Sequence, residues 1–196
     1  MPRPKLEDAR PRLLAAGLRL FANRGTERVN SNAIARWARL GIGTFYAHFS
    51  DKYALLHEIQ VRTLEGIQRV RKTAVSRAGA DPETQVYHAV RAVVRFAERH
   101  PEAYRVTFGR ERLGSGHRSP TVQESSRPTA EVLRRLQAKG DLDPDFDPDL
   151  AARAYASMEV GMLLWWLEAP GRAVAADLVD TLARLHPVAA CRRHAE

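Results

Sequence analysis

The residues able to do chemistry in this chain of 196 concentrate in the stretch Ser31–Lys52, SNAIARWARLGIGTFYAHFSDK. Two short apolar-periodic segments flank a tight turn, and the second opens with Gly-Ile-Gly-Thr and ends in aromatics and a histidine. A helix-turn-helix whose second helix enters a DNA major groove has this form, and its chemistry is hydrogen bonding to phosphates and base edges. Signatures of catalysis are missing: no G-x-S-x-G elbow, P-loop, H-E-x-x-H or Cys-rich metal spacing occurs, and neither cofactor nor metal is expected. The seven histidines are scattered, none four residues from another, and His117 in its glycine-rich stretch lacks an evident partner. An all-helical enzyme is therefore the weaker alternative. A DNA-binding protein without an effector is the other, although it would not need so long a charge-balanced remainder.

Charge supports the binding reading. Ten of the 31 Lys and Arg residues, but only four of the 23 Asp and Glu, fall within residues 1–52 of a chain whose net charge is +8. Basic charge gathered on the segment with the turn is what phosphate binding requires. A lone cysteine, Cys191, excludes an internal disulfide and fits a reducing cytoplasm. No signal peptide is evident, and the apolar stretch Ala154–Leu167, interrupted by Glu159, is shorter than the roughly 20 residues of a membrane span.

The elements that must position the motif read as helices throughout, since Gly and Pro fall at boundaries and no alternating β-branched run occurs. The pattern predicts a first helix over 7–23, with Leu14, Leu18 and Phe21 inward and Gly25 as a stop signal. Asn30 is a candidate N-cap for the next, whose Ala33, Ile34, Trp37 and Ala38 form a stripe able to face a core. Ile42, Phe45 and Phe49 continue the pattern, Phe45 and Phe49 as core, and a long helix is expected over 52–76, poised to act as a lever. Further helices are expected over 82–99, 102–109, 120–139, 148–168 and 172–185, followed by a polar, mobile tail over 187–196. The helix over 148–168 is apolar nearly all round in its second half, so both faces need cover. A second copy of the chain can supply that cover, and so can deep burial in a monomer.

The motif resembles the DNA-binding domain of the TetR family of bacterial transcription regulators, which reads approximately I-A-x-x-A-G-V-S-x-G-T-[LF]-Y-x-H-F-x-x-K after a helix ending L-F-x-x-x-G. The matching residues are Leu20, Phe21, Gly25, Ile34, Ala35, Ala38, Gly43, Thr44, Phe45, Tyr46, His48, Phe49 and Lys52. Two positions depart from it: Arg39 stands where the turn glycine is usual and is expected in a left-handed conformation, and Gly41 stands where a capping serine is common. The resemblance implies an all-α protein, with a three-helix helix-turn-helix DNA-binding domain over 1–52 and a larger helical ligand-binding and dimerisation domain over 53–196. It makes the helix beginning at Ile42 the recognition helix. Gly43 then admits the DNA closely, and Thr44 offers a hydroxyl and a methyl. Tyr46, His48, Lys52, Asn30 and Ser31 become phosphate contacts, and Arg39 reaches a base or a phosphate.

By the same resemblance the last two helices pair with those of a second subunit, giving a homodimeric, ligand-responsive regulator, a repressor by the family's usual behaviour, on a double-stranded, palindromic operator. Phe96, Tyr104, Phe108, Met158, Met162, Trp165 and Trp166 are candidates to line one pocket for an apolar or amphipathic small molecule, with ordinary core as the alternative for each. The stretch from Tyr104 to Gly116 is similar to the F-x-x-x-x-R-E-x-x-G segment of family members that regulate fatty-acid metabolism. That similarity adds Arg110 and Arg112 as phosphate-holding residues and an acyl-coenzyme A as a candidate effector.

Overall fold

A computed structural model of the protein describes residues 8–109, 122–169 and 171–192. Among them are ten α-helices and no strand: α1 (Ala9–Arg24), α2 (Ser31–Trp37), α3 (Ile42–His48), α4 (Lys52–Arg77), α5 (Pro82–Arg99), α6 (Pro101–Phe108), α7 (Val122–Ala138), α8 (Pro148–Glu168), α9 (Ala175–Arg184) and α10 (Pro187–Arg192). Side-chain oxygens set several starts. Asn30 Oδ1 accepts from Ala33 N at 2.8 Å, Asp81 from Thr84 N at 2.8 Å, and Asp147 from Asp149 N and Leu150 N. Each satisfies amides that a helix start leaves unpaired. The chain divides into two compact units, one of residues 1–63 with 102–120, the other of 64–101 with 121–196.

In the first unit, Leu13, Leu20 and Phe21 of α1 meet Ile34 of α2, Phe45 of α3, Phe49, and Leu55 and Leu56 of α4 in one core, with Val106 of α6 against it. Arg10 ties α1 to α4 by pairing with Glu58, which also pairs with Arg62 at 2.7 Å, and its guanidinium lies 4.8 Å over the Phe49 ring. Burial opposes the Glu58 charge, but the hydrogen bonds and charges of Arg10 and Arg62 outweigh it and hold the carboxyl below its usual range. Trp37 does not join this core. It is 54% exposed, because Ile34, Ala35 and Ala38 already fill the inward side of a two-turn helix.

In the second unit α7 packs along α8, and α5 lays Val86, Val90, Val93, Val94 and Ala97 against α9 and α10. Residues 171–174 form a turn rather than the start of α9, whose Leu178, Val179 and Leu182 face inward. The expected mobile tail is instead helical where it is described. Val188 and Ala189 are buried and α10 packs on α5, so apolar contact holds the start of a segment whose charged residues come later. Before α10, the ring of His186 stacks edge-on against Tyr155 at 4.5 Å. Burial and the charge of Arg71 push its pKa down to about 3.

A folded state that refuses a proton accepted by the unfolded chain loses stability as pH falls below the unfolded value near 6.5. Urea denaturation at pH 7, 6 and 5 is therefore expected to show stability falling by up to about 1.4 kcal/mol per pH unit below 6.5, in proportion to the share of this one group. The His186→Phe variant is expected to lack that part of the slope.

Candidate nucleic-acid interface

The turn between α2 and α3 is closed by the backbone of α2 and covered from α1. Leu40 N donates to Ala35 O at 2.9 Å and Arg39 N to Arg36 O at 3.0 Å, closing α2 with Arg39 at φ 54°. That left-handed backbone strains a residue with a Cβ. Arg12 of α1 donates to the carbonyl of Ala38 at 2.5 Å and of Arg39 at 3.4 Å, covering acceptors at the end of α2. Gly41, extended at φ −70° and ψ 151°, begins α3 without a side-chain cap.

Burial of Phe45 and Phe49 fixes which residues of α3 face out. Tyr46 is 57% exposed, Gly43 is exposed with nothing within 4 Å of an added Cβ, and Ile42 is partly exposed. Thr44 is half-buried and its amide bonds to Gly41 O at 3.0 Å. Asn32, Arg36, Arg39 and Ile42 border one shallow hollow, which gives Arg39 a second cation as neighbour. Asn30 and half-buried Ser31 stand at the start of α2, Asn30 with its oxygen already used as the cap.

Two expected contacts are more enclosed than their residue types suggest. His48 Nε2 is buried and has no hydrogen-bond partner, while its backbone carbonyl accepts from Arg10 at 3.5 Å. Lys52 Nζ donates to Thr26 O at 2.9 Å and Glu27 O at 3.4 Å, tying the start of α4 to the loop after α1. Asp51 caps α4, accepting from Tyr53 N and Ala54 N at 2.8 Å each. The roles of Arg12, Arg36 and Asp51 escape a reading of the sequence; only Asp51, an Asp just ahead of a helical pattern, carries a local signal.

The expected pocket residues do not share one cavity. Phe96 lines an open groove of about 500 Å³ in the second unit, with Arg69, Arg77, Arg91, Arg95 and Arg99. A second cavity of about 550 Å³ in that unit is walled by valines of α4, α5, α7 and α10 and reaches Tyr155 and Glu159 of α8. Met162, Trp165 and Trp166 line neither. Trp166 is core, its indole N–H donating to Ala173 O at 3.0 Å, whereas Trp165 is 42% exposed beneath the Arg172 guanidinium. Tyr104 and Phe108 belong to the first unit, with rings 4.7 Å apart, and Tyr104 is fully buried. Arg110 and Arg112 lie outside the described residues. Among the described residues no group of three His, Cys, Asp or Glu is placed to hold a metal, and no helix is long and apolar enough to cross a membrane.

Residues 13–59 match the family described as bacterial regulatory proteins, tetR family, and residues 86–189 match the tetracyclin repressor-like C-terminal domain. No curated relative matches the chain. Solved structures share its fold at low identity. They include the fatty acid degradation regulator FadR from Bacillus halodurans (16% identity, TM-score 0.74, covering 95% of this chain and 97% of that one). NalD, the secondary repressor of the MexAB-OprM multidrug efflux pump in Pseudomonas aeruginosa, matches at 20% identity and TM-score 0.74 over 94% and 98%. PfmR, a TetR family regulator from Thermus thermophilus, matches at 21% and 0.64 over 89% and 97%. The chain belongs to the TetR family and is a transcriptional regulator of that family.

Loss of the α4 cap is expected to cost about 1 kcal/mol, so urea unfolding of Asp51→Ala should show a lower midpoint at unchanged slope.

Proposed function

We propose that the protein is a repressor that binds an approximately palindromic operator as a homodimer and releases it when a small apolar or amphipathic effector binds. Residues 1–52 form the DNA-binding part and residues 53–196 the effector and dimerisation part. The observation that carries this reading is the outward face of α3, where Gly43 and Tyr46 are exposed while Phe45 and Phe49 are buried, and Ile42 borders a hollow with Arg39. Gly43 leaves room for the sugar-phosphate chain, Thr44 and Arg39 reach base edges or phosphates, and Tyr46 donates to phosphate. Lys52 has a further ammonium proton to offer beyond its two loop carbonyls. His48 is half-buried, and its ring supplies the remaining contact. Retention of a strained Arg39 in the turn fits a residue kept for its charge.

Homodimerisation through α8 and α9 is supported by what they leave uncovered. Leu150, Ala154, Gly161 and Trp165 recur along one side of α8, and Leu185 is exposed at the end of α9. An added Cβ at Gly161 meets nothing within 4 Å, so a second helix has space to approach there. The valine-walled cavity suits an apolar effector body. The fold likeness to FadR, a regulator of fatty acid degradation, keeps an acyl chain, as in an acyl-coenzyme A, among the candidates. Coupling of about 1–3 kcal/mol between effector and operator is the usual scale of such a switch.

Selection of bound duplexes from random DNA is expected to enrich an inverted repeat with half-sites about 34 Å apart for the wild type. Enrichment should be lost for Tyr46→Ala; the absence of any enriched sequence with folded wild-type protein would overturn the reading. In sedimentation, Gly161→Glu is expected to shift the protein to monomers with its helical content intact and its operator affinity reduced at least about tenfold. A monomeric wild type would remove the dimer.

A further inference from the structure

The second unit's 550 Å³ cavity has a polar end that its own residues leave half-used. Its body is apolar, formed by Val75, Val86, Val90, Val132 and Val188. At the polar end Glu159, whose side chain is 5% exposed, accepts from the Arg71 guanidinium on Oε2 at 3.0 Å. Its other oxygen, Oε1, is buried and has no hydrogen-bond partner. An unmatched carboxylate oxygen away from solvent is costly, so the site is shaped for a donor that arrives from outside the chain.

The neighbouring groups define what that donor can be. His186 Nδ1 accepts from Val188 N at 3.3 Å, which places the proton on Nε2 and makes that nitrogen a donor. Its ring lies against Tyr155, whose hydroxyl donates to Leu182 O at 3.2 Å. Burial and the charge of Arg71 keep the imidazole neutral over the ordinary pH range. The interior charges are thus one carboxylate and one guanidinium, which sum to zero. Lys72, Glu131 and Arg135 are exposed and belong to the rim. A ligand anion would meet Glu159, and a ligand cation would meet Arg71, each at short range in a poorly solvated site. A hydroxyl avoids both conflicts, because it donates one hydrogen bond and accepts another.

We propose that this cavity binds an uncharged hydrophobe carrying a hydroxyl, of the phenol or alkanol class, whose O–H donates to Glu159 Oε1 while its oxygen accepts from Arg71 or His186. The proposal rests on the effector reading and names the chemistry of the effector. The apolar body lies along the valines, and the cavity volume is in the range of small-molecule sites.

Calorimetric titration of the full chain with 4-butylphenol, 4-butylanisole, 4-butylbenzoate, 4-butylbenzylammonium and octanoyl-coenzyme A tests it. The phenol is expected to bind at least about tenfold tighter than the anisole, which cannot donate, and both simple ions more weakly still. In Glu159→Gln the preference for phenol over anisole should shrink to about threefold or less, and 4-butylbenzoate should gain affinity as Arg71 loses its counter-ion. Ala89→Phe fills the cavity with the ion pair intact and should abolish binding of all five. If Glu159→Gln does not fold, the wild-type ranking and its loss in Ala89→Phe decide the matter. Equal binding of phenol and anisole, the result if a water satisfies Oε1, overturns the proposal, as does tighter binding of either ion or of octanoyl-coenzyme A. Release of labelled operator is followed in parallel. Glu159-dependent phenol binding without release upholds the ligand chemistry and removes the effector role; release by a compound indifferent to Glu159 does the reverse.

Discussion

A helix of seven residues has no stability of its own in water, and α3 is such a helix. Its place depends on burial of Phe45, which is fully enclosed by the core of the first unit, with Phe49 following one turn later. Once those rings are inside, the 3.6-residue period leaves Gly43 and Tyr46 no inward option. The outward chemistry of the motif is therefore a consequence of its core. Around that fixed point sit Asn30 capping α2, Arg12 covering the carbonyls of the turn, and Asp51 with Lys52 anchoring the start of α4. Each holds an end of a short element that would otherwise fray.

The second unit obeys a different constraint. Its central α8 is too apolar for any side to rest easily in water, and the unit covers only part of it. Tyr155, Val160, Leu163 and Trp166 are inside, while Leu150 and Trp165 are not. Into the covered side the chain places Glu159, one turn beyond Tyr155, and pairs it with Arg71 of α4. A buried ion pair of this kind is weak ground for stability, since desolvation offsets most of the attraction. A carboxylate kept there with one oxygen unmatched is more readily understood as part of a site. Pro128, inside α7 and against the same cavity, deprives the Glu124 carbonyl of its usual helical donor and adds local irregularity to that wall.

Much of the fold was legible in the sequence because its signals are local. Asn30, Asp81-Pro82 and Asp147-Pro148 mark helix starts through their own hydrogen bonds, and the left-handed backbone of Arg39 is what the family resemblance implied by the glycine usual at that position. The tail and the pocket were legible only in part. The segment after Leu185 has only a short apolar run before its charged residues, and it is helical where described because Val188 and Ala189 find cover on α5, a partner roughly a hundred residues earlier in the chain. Aromatics and methionines looked like a pocket lining, yet Trp166 and Tyr104 are enclosed as core and the cavity is walled by valines that periodicity could only mark as apolar.

By itself the sequence determined the helical class, the helix starts that carry their own caps, the turn motif with its basic surroundings, and the family those residues announce. These depend on spacing, capping and charge, which act within a few residues of one another. Tertiary structure alone decided that Trp37 faces outward, that Lys52 directs two protons to loop carbonyls, and that Glu159 meets Arg71 beside His186. Arg71, Glu159 and His186 come from three separated parts of the chain, and no local rule ties an arginine on one helix to a glutamate 88 positions later. What brings them together is the packing of whole helices, and with it comes the low-dielectric surrounding that gives the pair its chemistry.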